Sequence, residues 1–440
     1  MVDLFVCPRC HAALEGAGDG SRCSSCGTAY PLVGDLPCLL DDPPLWRALW
    51  KSRLDDYLGA IGQRLVTLAA EADAPNLLER TRQRIRHVYG AVEHDRQALV
   101  ELFAELVPKE TAGAPQHLPG ADPRSGEAPV IEYTEHLFRD YSWGAAEADS
   151  ALGVVKRVAS QPLGKTAVYG VGTGRLALDV QRELGAELTL GFDIHPLPLL
   201  VAARLFRGET VELHEYPLAP HSAQATAVRQ KLRSPAKTPD GVVLAFADAL
   251  RPPLAPGSLD TVITPWFIDA VAADVRETAA AVSRALRSGG TWLNFGPLRF
   301  RGTLSRQYVI DEVHELVSAS SFELGTRFSE DVPYFHSPHS GNHRTDRVFA
   351  FAATKKGEAA ELPPPTLFAP WLSDTRLPIP VSPAFAGLER TSILTVGILS
   401  MIDGRRSIVD IAAALAQQWG VPPAVLVAEL RPFLARLPFA

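Results

Sequence analysis

Two groupings of side chains in this 440-residue sequence have the types and spacing to do chemistry. The first is Cys7-Pro8-Arg9-Cys10, followed after twelve intervening residues by Cys23-Ser24-Ser25-Cys26. Each C-x2-C knuckle bends the backbone so that two thiolates face one point, and two knuckles supply the four sulfurs of a closed tetrahedral site. A closed shell leaves no position for a substrate, so Cys7, Cys10, Cys23 and Cys26 are expected to hold a structural Zn2+. Cys38 is left over in an apolar stretch and reads as a buried core thiol. The second grouping is Gly170-Val171-Gly172-Thr173-Gly174-Arg175. A strand runs into glycines that permit a tight turn and a close approach to a ligand, and a helix opens at Arg175. The apolar run 188–192 then ends in Asp193, where a carboxylate can accept from two ribose hydroxyls. A further run, 245–247, ends at Asp248, a second carboxylate at the end of a strand.

The intervening sequence supplies the elements that must position these groups. Residues 1–45 are rich in turn formers and read as a ribbon of short strands. Leu45, Leu49, Leu54, Leu58, Ile61 and Leu65 recur at helical spacing, and Ile85, Val88, Val92, Leu99, Leu102 and Leu106 repeat the pattern after a break near Pro75, giving a helical segment and then a loop over 46–128. From 129 to 357 helical stretches alternate with short β-rich runs, the pattern of a parallel α/β sheet. A Pro-rich linker is expected over 358–383, and three helices (393–402, 407–419, 422–437) over 384–440. With 43 basic against 50 acidic residues, nothing overall advertises a polyanionic partner. No apolar run reaches the length of a membrane span and the first residues lack a signal-peptide pattern, so the expected location is the cytoplasm.

Taken with the strand 257–264 and the turn and strand 286–293, the glycine loop, Asp193 and Asp248 resemble, in order and spacing, the motifs of S-adenosylmethionine (SAM)-dependent methyltransferases. That resemblance implies a Rossmann-like α/β core, flanked here by the four-cysteine ribbon, the helical segment and the C-terminal helices. The run Asp260 to Thr264-Pro265-Trp266-Phe267-Ile268-Asp269, with Trp292-Leu293-Asn294-Phe295-Gly296-Pro297-Leu298, resembles carnosine N-methyltransferases. So do Leu137-Phe138-Arg139-Asp140-Tyr141-Ser142 with Glu147, and Tyr216-Pro217 with His221-Ser222. By that resemblance Arg139 contacts the SAM carboxylate, Gly170, Gly172, Gly174 and the helix start at Arg175 line the cofactor, Asp193 holds the ribose and Asp248 the adenine. Asp269 meets a substrate imidazole, fixing its tautomer and leaving the other ring nitrogen free for the methyl group. An alternative role for Asp269 is N-cap of a helix over 270–286.

Thr264-Pro265-Trp266-Phe267 stands where amino-methyltransferases carry an Asn/Asp-Pro-Pro-Tyr clamp, which puts Thr264 at the cofactor and Phe267 against a flat nucleophile; packing under the sheet explains these aromatics as well. Arg301 takes the place of a family histidine and His136 that of a glutamine, so a fixed cation replaces a proton acceptor at a candidate catalytic position. An acidic or peptide-borne substrate suits Arg299 and Arg301, although both also read as solvated loop residues. Tyr334 and His336 replace a tyrosine-rich family segment near the substrate; His336, His339 and His343 read either as a polar loop or as a metal site.

The segment 30–37 resembles zinc-ribbon rRNA methyltransferases and small activators of tRNA methyltransferases, and 399–411 resembles PqqD-like modules that bind leader peptides. The expected function is N-methylation of an imidazole or related nitrogen on a histidine-containing small molecule or peptide. Ribbon-guided RNA methylation and a non-catalytic SAM-binding module are the alternatives. A leader peptide or protein is the expected partner of the C-terminal helices, which otherwise serve packing or dimerisation.

Overall fold

In the computed structural model, described for residues 4–16, 20–106, 133–159, 162–301, 303–357, 406–427 and a few positions between 362 and 403, the ribbon is built from four short strands. They are β1 (Leu14–Glu15), β2 (Gly20–Cys23), β3 (Ala29–Val33) and β4 (Leu36–Leu39). Two long helices follow, α1 (Pro43–Ala72) and α2 (Glu79–Phe103), separated at the break around Pro75. Asp42 caps α1 by accepting from the Leu45 N–H, and the prolines in its first turn forgo donors that a helix start leaves unpaired.

After α3 (Thr134–Phe138) the chain makes a π-helical turn, Arg139–Trp143, and enters α4 (Ala145–Val158). Single π turns are rare and concentrate at functional sites. The alternating part then runs β5 (Lys165–Tyr169), α5 (Arg175–Leu184), β6 (Leu188–Asp193), α6 (Pro196–Phe206), the hairpin β7 (Val211–Glu215) and β8 (Val228–Leu232), β9 (Val242–Ala247) and β10 (Leu259–Pro265). It closes with α7 (Val275–Ala285), β11 (Leu286–Gly296), α8 (Ile310–Ala319), β12 (Phe322–Tyr334) and β13 (Arg344–Lys355).

Strands β9, β6, β5, β10 and β11 pair in parallel in that order, with β13 antiparallel between β11 and β12. Val168, Tyr169, Leu190, Phe192, Phe246 and Ile263 are buried, as expected for parallel strands covered on both faces. This is a Rossmann-like sheet whose strand order reverses beside β5, the point at which sheets of this kind take ligands, at the carboxyl ends of the strands. The ribbon extends the same sheet: β4 pairs in parallel with β9, Cys38 facing Phe246 and Leu39 facing Ala247. Cys38 is fully buried, and burial pushes its thiol up to about 12.

Among the described residues, those from 4 to 372 form one compact unit and those from 398 to 427 a second. In the second, α9 (Ile408–Trp419) starts at Ser407, which exchanges capping hydrogen bonds with Asp410. Ile411, Ala412 and Leu415 pack with Ile398 and Leu426. The expected loop at 108–128, most of the linker at 358–383, and much of the first and third C-terminal helices lie outside the described residues. No described helix is long and apolar enough to cross a membrane.

Candidate functional site

The glycine loop sits where β5 ends and α5 begins. Asp193, the last residue of β6, accepts from the Gly172 N–H at 2.8 Å and the His195 N–H at 2.9 Å. Its burial pushes the carboxyl upward against the pull of these N–H groups. At Gly172 the backbone is left-handed (φ 54°) and a Cβ would meet nothing within 4 Å, so space stands open over that residue. At Gly170 a Cβ would come within 2.6 Å of the Phe267 ring, which ties the glycine loop to the segment after β10.

The π turn clamps this loop from a second element. Asp140 pairs with Arg139 (Nε to Oδ1, 2.6 Å), accepts from the Thr173 hydroxyl, and is buried; the Tyr141 hydroxyl donates to the Thr173 carbonyl at 2.7 Å. Arg175 is committed to the fold, its guanidinium donating to Asp179 at 2.7 Å and to the Asp140 carbonyl at 2.5 Å. Asp248 accepts from the Leu250 N–H at 2.9 Å in the turn after β9. The Thr264 hydroxyl lies within the sheet, accepting from Trp292 Nε1 at 2.8 Å.

Arg139 also faces an aromatic wall, its guanidinium carbon 5.3 Å from the Tyr334 ring centre and 5.7 Å from that of Phe335. Trp266 stands 5.5 Å from Tyr334, and His136 Nε2 meets the Tyr334 hydroxyl at 3.1 Å. Burial lowers His136 to about 3, so its ring is neutral, and raises Tyr334, so its hydroxyl keeps its proton. Trp266 (φ 45°) and Phe335 (φ 57°) hold left-handed conformations costly for bulky residues. Glu147 fixes the second of them, accepting from the Phe335 N–H at 3.0 Å and the His336 N–H at 2.7 Å. Two buried ring nitrogens of this wall, Trp266 Nε1 and His136 Nδ1, have no partner among the described residues. Buried polar atoms are normally paired, so these two nitrogens suit a ligand with hydrogen-bonding groups.

Asp269 corrects the helix reading of its segment. The helix does not run from 270: α7 begins at Val275, and its N-cap is Asp274, locked in a reciprocal capping box with Glu277. Asp269 is thereby free of capping. It is buried and accepts from the main-chain N–H of Arg299 at 2.7 Å, and burial raises its carboxyl. The Arg299 guanidinium reaches Asp346 at 3.1 Å, whereas Arg301 is exposed. His336 and His343 stack at 4.8 Å, and their Nε2 atoms meet the Arg344 carbonyl (2.8 Å) and the Ser337 carbonyl (3.2 Å), an arrangement of a polar loop rather than of converging ligands.

In the ribbon, the sulfurs of Cys7, Cys10, Cys23 and Cys26 all lie within 4.8 Å of one another, with Cys7 to Cys26 at 3.7 Å and Cys10 to Cys23 at 3.4 Å. Zn–S bonds of about 2.3 Å at tetrahedral angles require sulfurs about 3.8 Å apart, so the set fits Zn2+. Helix α1 joins the ribbon to the turn after β6: Trp46 Nε1 donates to the Ile194 carbonyl at 2.9 Å, and the Trp50 ring lies 4.5 Å from His195.

Reasoning from sequence missed Glu147 as a brace, the hairpin β7–β8, and the pairing of β4 with β9. The hairpin places Glu215 against the Trp143 indole N–H (3.2 Å) and the Ser337 hydroxyl.

No family model matches the chain. A carnosine N-methyltransferase from Dictyostelium discoideum is 23% identical over 231 residues, which are 45% of this chain and 48% of that protein. The chain therefore spans about half the length of the curated relative it matches. Among solved structures, a Haemonchus contortus phosphoethanolamine N-methyltransferase 2, in complex with phosphomonomethylethanolamine and S-adenosylhomocysteine, superposes with TM-score 0.34 at 18% identity, over 52% of this chain and 60% of that one. A complex between the Haloferax volcanii Trm112 methyltransferase activator and a putative methyltransferase gives TM-score 0.36 at 13% identity, over 52% and 96%.

Proposed function

We propose that the chain is a SAM-dependent N-methyltransferase acting on an imidazole or related ring nitrogen of a histidine-containing small molecule or peptide. The observation that carries the reading is Asp269: a buried carboxylate, released from capping by Asp274, held by one main-chain N–H, and joined through Phe267 to the glycine loop. When bound, SAM supplies an electrophilic methyl group on a sulfonium. Asp193 and Asp248 would take the ribose and adenine, and Arg139 the carboxylate end. Asp269 would accept the N–H of the acceptor ring, so that the opposite nitrogen presents its lone pair. Asp269 would orient the neutral ring for in-line displacement at the methyl group and, once that ring is methylated, would accept the N–H proton it sheds. Such a transfer needs alignment above all, which Trp266 and Phe335, both held in left-handed backbone conformations, would provide. The likeness to a carnosine N-methyltransferase over about half the chain supports the nitrogen acceptor.

The four thiols are proposed to bind Zn2+ structurally, and the C-terminal helices a peptide or protein partner. The test of the acceptor site is Asp269→Asn, read by SAM binding and methyl transfer separately. Transfer should fall by at least about 100-fold, the scale of one positioned group, while the Kd for SAM stays within about twofold. Unchanged transfer with intact SAM binding removes Asp269 from the acceptor site and the reading with it.

A further inference from the structure

Away from the cofactor loop, α2 packs against the hairpin β7–β8 through a compact polar cluster. His94, Asp95 and His214 each bring one potential ligand atom within 4.8 Å of the other two. His94 and Asp95 are consecutive helical positions, which ordinarily face different directions. Here both turn their polar atoms to one point opposite His214. Asp95 Oδ1 is 2.8 Å from His214 Nδ1, 3.3 Å from His94 Nδ1 and 3.0 Å from the main-chain N of His214. The Tyr216 hydroxyl donates to the other carboxylate oxygen at 2.8 Å, which fixes the orientation of the carboxylate.

As a purely hydrogen-bonded cluster this arrangement is crowded, because one carboxylate oxygen has lone pairs for about two donors and meets three N–H groups. A cation relieves the crowding. With each imidazole in its Nε2–H tautomer, both Nδ1 lone pairs are free to join Oδ1 as ligands, and the Tyr216 bond to Oδ2 remains. Two imidazoles and one carboxylate are the ligand set of borderline divalent ions. The side chains of Asp95 and His214 are 13% and 11% exposed, and that of His94 is 34% exposed, so solvent reaches the centre from the His94 side and can complete the coordination.

We propose that His94, Asp95 and His214 form a second metal site, for a divalent transition ion such as Zn2+, Ni2+ or Co2+, pinning the α2 arm to the β7–β8 hairpin. It is distinct from the ribbon thiolates and does not depend on which substrate is methylated.

The test is a Co2+ titration of the full-length protein, stripped of metal and followed by absorption spectroscopy with calorimetry. Thiolate ligands give intense charge-transfer bands and nitrogen–oxygen ligands do not, so the two sites read separately. The wild type should take up one equivalent with thiolate bands and a second without them. In His94→Ala and His214→Ala the second equivalent should weaken at least about tenfold while the thiolate bands persist. His94→Ala, at the more exposed ring, keeps the test open if His214→Ala does not fold. Absence of the thiolate-free equivalent, or its survival in the folded histidine variants, overturns the proposal.

Discussion

Replacing Gly172 by alanine tests whether the open space over that residue is the cofactor's. At φ 54° an L-residue is strained, yet the added Cβ meets nothing within 4 Å, so the free protein bears only the backbone cost. That cost is about 1–2 kcal/mol, reduced by about 0.4–1 kcal/mol through the lower entropy of the unfolded chain. Gly185, which ends α5, is the matched control: φ 62° and again nothing within 4 Å. Both variants should therefore lose similar stability, about 1 kcal/mol in denaturant titrations. They should part company on SAM. If the cofactor packs on the Gly172 backbone, a methyl group there imposes an overpacking cost of about 1–3 kcal/mol, which raises Kd about 5- to 150-fold. Gly185→Ala should leave Kd within about twofold. Equal Kd values for the two variants by calorimetry would refute the placement of the cofactor over this loop.

Further outcomes follow from other contacts. Trp46→Phe keeps most of the buried ring but removes the bond to the Ile194 carbonyl beside Asp193; it should cost about 1 kcal/mol of stability and weaken SAM binding several-fold, and unchanged binding would sever the ribbon arm from the cofactor loop. Asp274→Ala removes the α7 cap and should lower stability by about 0.5–2 kcal/mol with methyl transfer per folded molecule unchanged, the reverse of Asp269→Asn. Burial raises both Asp193 and Asp269 in the folded chain, so protonation favours the folded form and acidification does not strip stability through these two groups. What acid removes is ligand contact: SAM affinity and transfer should decline, as pH falls, at values above the ordinary aspartate pKa of about 3.9, read by calorimetry and initial rates across a pH series.

The parts legible in the sequence are those encoded locally. A strand running into spaced glycines and a helix, and strands ending in Asp193 and Asp248, are short-range patterns, and the structure places them at the ends of β5, β6 and β9. The helix after β10 was also legible in principle, because Asp274-Val275-Arg276-Glu277 carries the capping-box signature that the Asp269 segment lacks. The unread parts are pairings between distant segments. Glu147 braces residues 188 and 189 positions away, and Asp95 meets His214 across 119. No periodicity reports such partners. At Thr264 and Arg175 the sequence did not show that a polar residue beside a motif can spend its side chain on the sheet or the loop itself. Strand β4 illustrates a third reason: Leu36-Pro37-Cys38-Leu39 is too short and apolar to announce which sheet it will join.

The most direct measurement of the central claim is transfer from methyl-labelled SAM to histidine-containing small molecules, histidine-containing peptides and RNA, assayed in parallel with the wild type and Asp269→Asn. Label is expected on a ring nitrogen of a histidine-containing small molecule or peptide, and its loss in the variant. Label on RNA, or no label on any of the three, would contradict it.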